Sequence, residues 1–367
     1  MLSESLNTAR LGRLRLGAAL LFLLLAPQAR AQSDAPEPAA ADLKPVPVFS
    51  VQSGFVTFFE GGTPHLGPLV TPLLLVPVGD KWLIETRGTL ESDLAPEPGS
   101  PGFKGSLESS VDYLQLDYIA NKYVTVSVGR YLTPFGIYNE RLYPIFVRDL
   151  QTDPLILGIE AGDYGAGTGG MVRGGFDVAR GVELNYAAYF STNSTVEHME
   201  SDRAAGFRAG VFLPGPRLEV GGSFQHVLQD ERKNSFGFHF AWQPAPLPLD
   251  IRAEYARSYD GSGYWIESAY KLSQVPVWRN TMRHFQVVAR MQQFYVNPEV
   301  VEEEGDSGGF TTNTNMFEFG LNYYFRDDLR FVSSYGRQFA PQGGNENVWT
   351  VGMTYRVALP IGHGDIR

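Results

Sequence analysis

Phe317-Glu318-Phe319-Gly320-Leu321-Asn322-Tyr323-Tyr324-Phe325 and Trp349-Thr350-Val351-Gly352-Met353-Thr354-Tyr355-Arg356-Val357-Ala358-Leu359 decide the fold. In both stretches every second residue is apolar, and the residues between are mostly small, polar or charged. Strand side chains alternate faces, so each segment has one apolar face and one polar face. In a soluble sandwich the polar face would turn outward. Here the same alternation recurs along nearly the whole chain, and no helical stretch is available to cover the apolar faces. The pattern describes an all-β, antiparallel transmembrane β-barrel with a wet interior.

The amino terminus agrees with that address. Arg10, Arg13 and Arg15 precede the apolar run from Leu16 to Ala26, and Ala29-Arg30-Ala31 places small residues ahead of a cut before Gln32. Residues 1–31 therefore read as a secretory signal peptide. The run is about half of the roughly 20 residues that span a bilayer as helix. Residues 32–46, rich in Ala and Pro, read as a periplasmic linker, 47–359 as the barrel and 360–367 as a C-terminal tail. The chain carries 30 basic and 40 acidic residues, and the leader holds four of the Arg and one Glu, so its loss makes the remainder still more acidic. Nucleic acid is not an expected partner of such a chain. Cysteine is absent, which excludes disulfides and thiolate metal sites.

The alternation gives about sixteen strands of roughly ten residues; fourteen or eighteen also fit. With both termini periplasmic, the even gaps are mostly short, such as Gly79-Asp80, Ala120-Asn121 and Pro214-Gly215-Pro216, whereas the odd gaps include 95–106, 132–170, 191–204 and 296–314. Short turns on one side and long loops on the other are the asymmetry of outer-membrane barrels. The 132–170 loop is the longest and holds Phe135, Ile137, Tyr138, Leu142, Phe146, Leu155 and Ile156. Such apolar content needs something to pack against, and an inward fold against the barrel wall supplies it.

Gly129-Arg130-Tyr131-Leu132-Thr133-Pro134-Phe135-Gly136 resembles the strand-to-loop segment of outer-membrane porins related to the phosphate-selective porins O and P. The hairpin containing Phe319-Gly320-Leu321-Asn322-Tyr323-Tyr324-Phe325 is similar to the final hairpin of that group. Thr350, Gly352, Tyr355 and Val357 resemble the C-terminal signal read by the barrel-assembly machinery. The resemblance implies a sixteen-stranded porin in the bacterial outer membrane, trimeric in assembly, whose third loop narrows the channel. A terminal Phe, common in such porins, is replaced here by the tail from Pro360.

Alternation assigns Arg173, Arg208, Arg252, Lys271, Arg290, Arg330 and Arg356 to the lumen wall, with Asp177, Glu183, Glu219, Asp250, Glu254, Glu267 and Glu318. That balance is no anion ladder, although cross-strand pairing as wall structure is an equal reading. The loop adds Arg141 and Arg148 against Glu140, Asp149, Asp153, Glu160 and Asp163, with Glu140, Arg141, Arg148, Asp149 and Asp153 the candidate constriction. The expectation is a channel for small hydrophilic solutes or ions; a phosphate- or anion-selective pore and a barrel enzyme or adhesin are the alternatives. An Arg at Met353, on the lipid face, is expected to impair assembly, and one at Thr354, on the lumen face, to be tolerated.

Other signals carry less. Gly165-Ala166-Gly167-Thr168-Gly169-Gly170 has the letters of a dinucleotide fingerprint but precedes a strand, so a flexible loop return is the better reading. Glu302-Glu303-Glu304-Gly305-Asp306 reads as a solvated loop tip rather than a cation site. Ser223 and Gln225 approach His226 in sequence, but alternation puts His226 on the opposite face, and no catalytic residues are assigned. The histidines lack metal-ligand spacing. No cofactor or metal is expected.

Overall fold

The computed structural model describes residues 46–60, 63–97, 102–158, 165–196, 199–229, 233–298, 312–341 and 344–361. The expected signal peptide, most of the linker, the end of the tail and the acidic run 302–306 lie outside the described residues. Sixteen strands follow one another: β1 (Val48–Glu60), β2 (Thr63–Val78), β3 (Trp82–Pro96), β4 (Phe103–Asn121), β5 (Val124–Leu132), β6 (Ala166–Ala179), β7 (Val182–Thr192) and β8 (Ala204–Leu213). The second half comprises β9 (Leu218–Val227), β10 (Asn234–Trp242), β11 (Leu249–Arg257), β12 (Gly261–Lys271), β13 (Phe285–Val296), β14 (Thr314–Arg326), β15 (Leu329–Ala340) and β16 (Gly344–Pro360). Each strand pairs antiparallel with its neighbours in sequence, and β1 pairs with β16 from Val48↔Pro360 to Phe59↔Trp349, closing the barrel without a free edge. No helix of the described residues is long and apolar enough to cross a membrane.

The two faces separate as the alternation requires. Phe55, Phe207, Phe238, Phe319 and Met353 are exposed on the outside, while Thr71, Asp117, Glu254, Glu318, Asn322 and Thr350 are buried inside. A soluble protein would invert that distribution. Aromatic rings cluster near the short-turn end, where Trp82 meets Tyr118 at 4.6 Å and Tyr323 meets both Phe285 and Phe325 at 4.8 and 4.9 Å. Towards the other end Tyr335 stacks on Trp349 at 4.4 Å. Two such girdles suit the two interfaces of a bilayer.

Two segments differ from the sequence reading. β2 begins at Thr63, whereas alternation places this strand at 69–78, and it does so despite Pro64, Pro68 and Pro72. These prolines share one parity, so their missing N–H groups fall on the same side. The β1 ladder stays complete, and the β3 ladder skips Gly67-Pro68 and Thr71-Pro72. Ala166–Gly170 is the start of β6 rather than a flexible return, which shortens the loop to 133–165. Its glycines admit close neighbours: a Cβ on Gly167 would meet the Tyr131 ring at 3.2 Å and Ser191 at 3.0 Å.

Candidate functional site

The long loop folds into the barrel, beginning with the Pro134-Phe135-Gly136 turn. Gly136 has φ +62, and a Cβ there would overlap the carboxylate of Glu254. That carboxylate, almost fully buried on β11, accepts the backbone N–H groups of Ile137 and Tyr138 at 3.0 and 3.2 Å. Ser223 on β9 accepts the Gly136 N–H at 3.0 Å, and Arg208 on β8 donates to the Gly136 carbonyl at 3.0 Å. A single turn of π-helix, Tyr138–Leu142, follows. Asn139 ties the loop's two ends, donating to the carbonyls of Thr133 and Gly165 at 2.9 and 2.8 Å.

Apolar side chains seat the loop where the wall is bare. Phe135, Ile137, Tyr138, Leu155 and Ile156 form one core with Trp265, Phe294 and Met316. The wall opposite them is recessed by glycine. A Cβ would come within 2.8 Å of Ile145 at Gly54, 2.8 Å of Ile156 at Gly263, and 2.5 Å of Leu150 at Gly320. The alternation of these strands shows which residues face inward, but not that their missing side chains are spaces for the loop.

The charged residues divide into tethers between loop and wall and pairs that stand apart from them. Arg141 makes a two-point pair with Glu219 at 2.7 and 2.8 Å, and Arg208 pairs with Glu140 at 2.5 Å. Asp149 accepts from Gln286 at 3.0 Å and lies 3.4 Å from Arg252; burial pushes its carboxyl up, against the pull of Arg252 and Arg330. Arg290 pairs with Glu318 at 2.8 Å and donates to the Thr152 carbonyl at 2.8 Å. Arg330 donates to the carbonyls of Ile145 and Arg148. Its guanidinium and that of Arg356 lie over the Phe146 ring at 5.3 and 4.8 Å. Arg173 pairs with Asp117 at 3.1 Å, away from the loop. Of the five candidate constriction residues, Glu140, Arg141 and Asp149 are bound to the wall. Arg148 and Asp153, paired at 2.6 Å, line open space. Glu160 and Asp163 lie outside the described residues.

That space is a cavity of about 590 Å³ between the loop and the lumen face of β1–β4, at the long-loop end. The loop thus packs against β8–β16 and β1 and leaves the β2–β4 side open. Tyr143 stands at the boundary, its hydroxyl pushed up to about 12 by burial and its ring near the guanidiniums of Arg87 and Arg148, at 5.4 and 5.5 Å. A second opening of about 320 Å³, lined by Asp149, Asp250, Arg252 and Lys271, lies towards the short-turn end.

Residues of β3 and β4 correct the balanced charge count. Asp112 is the extra residue of a β-bulge, since Arg87↔Tyr113 is followed by Gly88↔Val111. The Asp112 carboxylate meets Arg87 Nε at 3.1 Å, Thr89 at 2.9 Å and Ser110 at 3.2 Å. Beyond the bulge the inward set of β4 changes parity, and Glu108 joins Glu91 and Asp93 around the cavity. Below it, Gln115 and Asp117 are buried inside. The lumen therefore holds more acids than bases. The cue in the sequence was the acidic content of 85–117; Glu91 and Asp93 follow the alternation of β3, and only Glu108 and Asp112 were hidden by the bulge.

The rest of the sequence assignments fall as follows. Thr350 and Gly352 face inward, Thr350 bonded to Ser334 at 2.7 Å, and Tyr355 and Val357 take the opposite parity. Arg130 donates to the carbonyls of Val111 and Glu200 at 2.6 and 2.7 Å. His226 contacts Asn234 at 2.8 Å, while Ser223 is engaged by Gly136, so the two do not meet.

Solved outer-membrane proteins share this architecture. OmpF of Salmonella typhi, in complex with daunomycin, is 10% identical, with 84% of this chain and 97% of that chain covered and a TM-score of 0.59. OprB of Pseudomonas putida at high pH is 9% identical over 85% and 94%, with a TM-score of 0.58. The anion-selective porin from Comamonas acidovorans is 10% identical over 84% and 98%, with a TM-score of 0.54. No protein-family model and no curated protein matches the sequence. At such identities the likeness defines the fold, a closed sixteen-stranded transmembrane barrel of the outer-membrane porin type.

Proposed function

We infer that the chain is a non-enzymatic porin of the bacterial outer membrane, through which small hydrophilic solutes or ions diffuse passively. The observation that carries this reading is the inward loop, which is tethered along one side of the lumen and leaves the other side open. A plug would fill the cross-section. Arg148, Asp153 and Tyr143 on the loop face the β1–β4 wall and set the width. Outer-membrane lipid covers the apolar exterior, the barrel-assembly machinery reads Thr350, Gly352, Tyr355 and Val357, and assembly is trimeric as the resemblance implies. Phosphate or anion selectivity would need an excess of fixed positive charge, which the acids of β3 and β4 oppose.

Purified protein in a planar bilayer should give discrete conductance steps. Removing residues 142–157 should enlarge each step while the barrel still folds, as judged by heat-modifiable migration. No steps from the folded full-length protein would overturn the porin reading. An unchanged step size after the deletion would show that the loop does not limit the passage.

A further inference from the structure

We propose that the cavity of about 590 Å³ beside the loop is a binding subsite for amphipathic organic cations, above all primary alkylammonium ions; this rests on the porin reading and names its favoured solute class. The first observation is a pair of like charges. Glu91 and Glu108 stand directly opposite in the β3–β4 register, and both line the cavity. Like charges directly opposed across a ladder destabilise it. Among the described residues neither makes an ion pair, whereas the nearby cations are engaged: Arg87 with Asp112 at 3.1 Å and Arg148 with Asp153 at 2.6 Å. His65 faces Asp93 at 3.1 Å.

The second observation is an acceptor with no donor. Gln151 lines the same cavity and is only 5% exposed. Its amide nitrogen donates to the carbonyls of Ile145 and Arg148 at 3.5 and 3.4 Å, and its amide oxygen has no hydrogen-bond partner. Buried acceptors of this kind are rarely left alone. Among the described residues, the acids left without an ion partner around the cavity, Glu91 and Glu108, are acceptors, and the complementary ligand is a cation with N–H donors.

The third observation separates an organic cation from a metal ion. Val56, Phe58, Leu69, Met316 and Val348 give the cavity an apolar wall on the β1, β2, β14 and β16 side. Among the described residues no three His, Asp or Glu converge as metal ligands. An ammonium head placed between Glu91 and Glu108 would leave its alkyl chain against that wall, and the hydrophobic and charged contacts would add.

The test uses n-butylammonium chloride, with ammonium as charge without the chain, n-butanol as chain without the charge, and butyrate as the opposite charge. Each is titrated calorimetrically into the folded full-length barrel in detergent and added to the K⁺ current in a planar bilayer. Butylammonium should bind and block more strongly than all three. The Glu91→Gln/Glu108→Gln double variant should raise the half-blocking concentration roughly tenfold, as expected for losing charged hydrogen bonds. Asp80→Asn, in the turn at the opposite end, should leave it unchanged. Equal binding of butylammonium and butyrate, or no preference over ammonium and butanol, would overturn the proposal without any variant. Binding to a barrel that does not conduct would sink the channel reading and keep the subsite. Conductance without butylammonium binding would do the reverse.

Discussion

Gly136 is the single residue on which the position of the loop most depends. Its φ of +62 costs a residue with a side chain roughly 1–2 kcal/mol, and any Cβ would press on the Glu254 carboxylate that holds the next two N–H groups. Gly136→Ala should therefore leave a heat-modifiable barrel whose loop is loosened, seen as a larger and noisier single-channel current. A quiet current of unchanged size would show that the turn is not the anchor. On the outer face, Met353→Arg should cost roughly 2–4 kcal/mol against Met353→Leu, measured by urea unfolding from phospholipid vesicles. Its neighbour Thr354 marks the limit of alternation. The pattern places Thr354 towards the lumen and implies tolerance of Arg. In the structure it is fully buried and accepts a hydrogen bond from Arg330 at 3.1 Å, so Thr354→Arg should impair folding as well. The face of a residue is written in its neighbours along the strand, but what covers it comes from elsewhere in the chain, as Arg330 does for Thr354.

At the scale of elements, strand number, order and most boundaries are legible because each strand must present an unbroken apolar face to lipid. The loop's inward fold is legible for the same reason, since Phe135, Ile145, Phe146 and Ile156 have no other place to go. Two things are not. Prolines read as breakers, yet β2 keeps its ladder with β1 intact and loses only bonds to β3. The bulge at Asp112 exchanges the faces of the upper half of β4, which no alternation count anticipates. Deletion of Asp112 should restore a regular ladder in which Glu108 still stands opposite Glu91 on the lumen face. Folded yield in a heat-modifiability assay should therefore stay close to that of Asp112→Ser, which keeps the extra residue. A sharp loss of folded barrel on deletion alone would mean that the bulge itself, and not the register above it, is needed for folding.

For the molecule as a whole, the unequal lumen charge predicts a sign. Reversal potentials in a tenfold KCl gradient should report a preference for K⁺, larger in dilute than in concentrated solution because the acids around the cavity are exposed and screened by salt. Chloride preference would mean that the acids of β3 and β4 do not face the permeating ions. The class of fold was legible from alternation and loop asymmetry. The acid excess was legible only in part: Glu91 and Asp93 follow the regular alternation of β3, whereas the inward face of Glu108 depends on the bulge of β4. One feature reaches beyond the finished pore to its making. The seat of Ile145 is Gly54 on β1, that of Leu150 is Gly320 on β14, and Arg330 on β15 holds the loop's carbonyls. β14 and β15 are hairpin partners, but β1 comes beside them only when β16, which lies between, finds the first strand. The loop is synthesised long before its seat exists, so its docking must be a late event in the life of the chain. Protection of the loop from protease would then serve as a clock for closure.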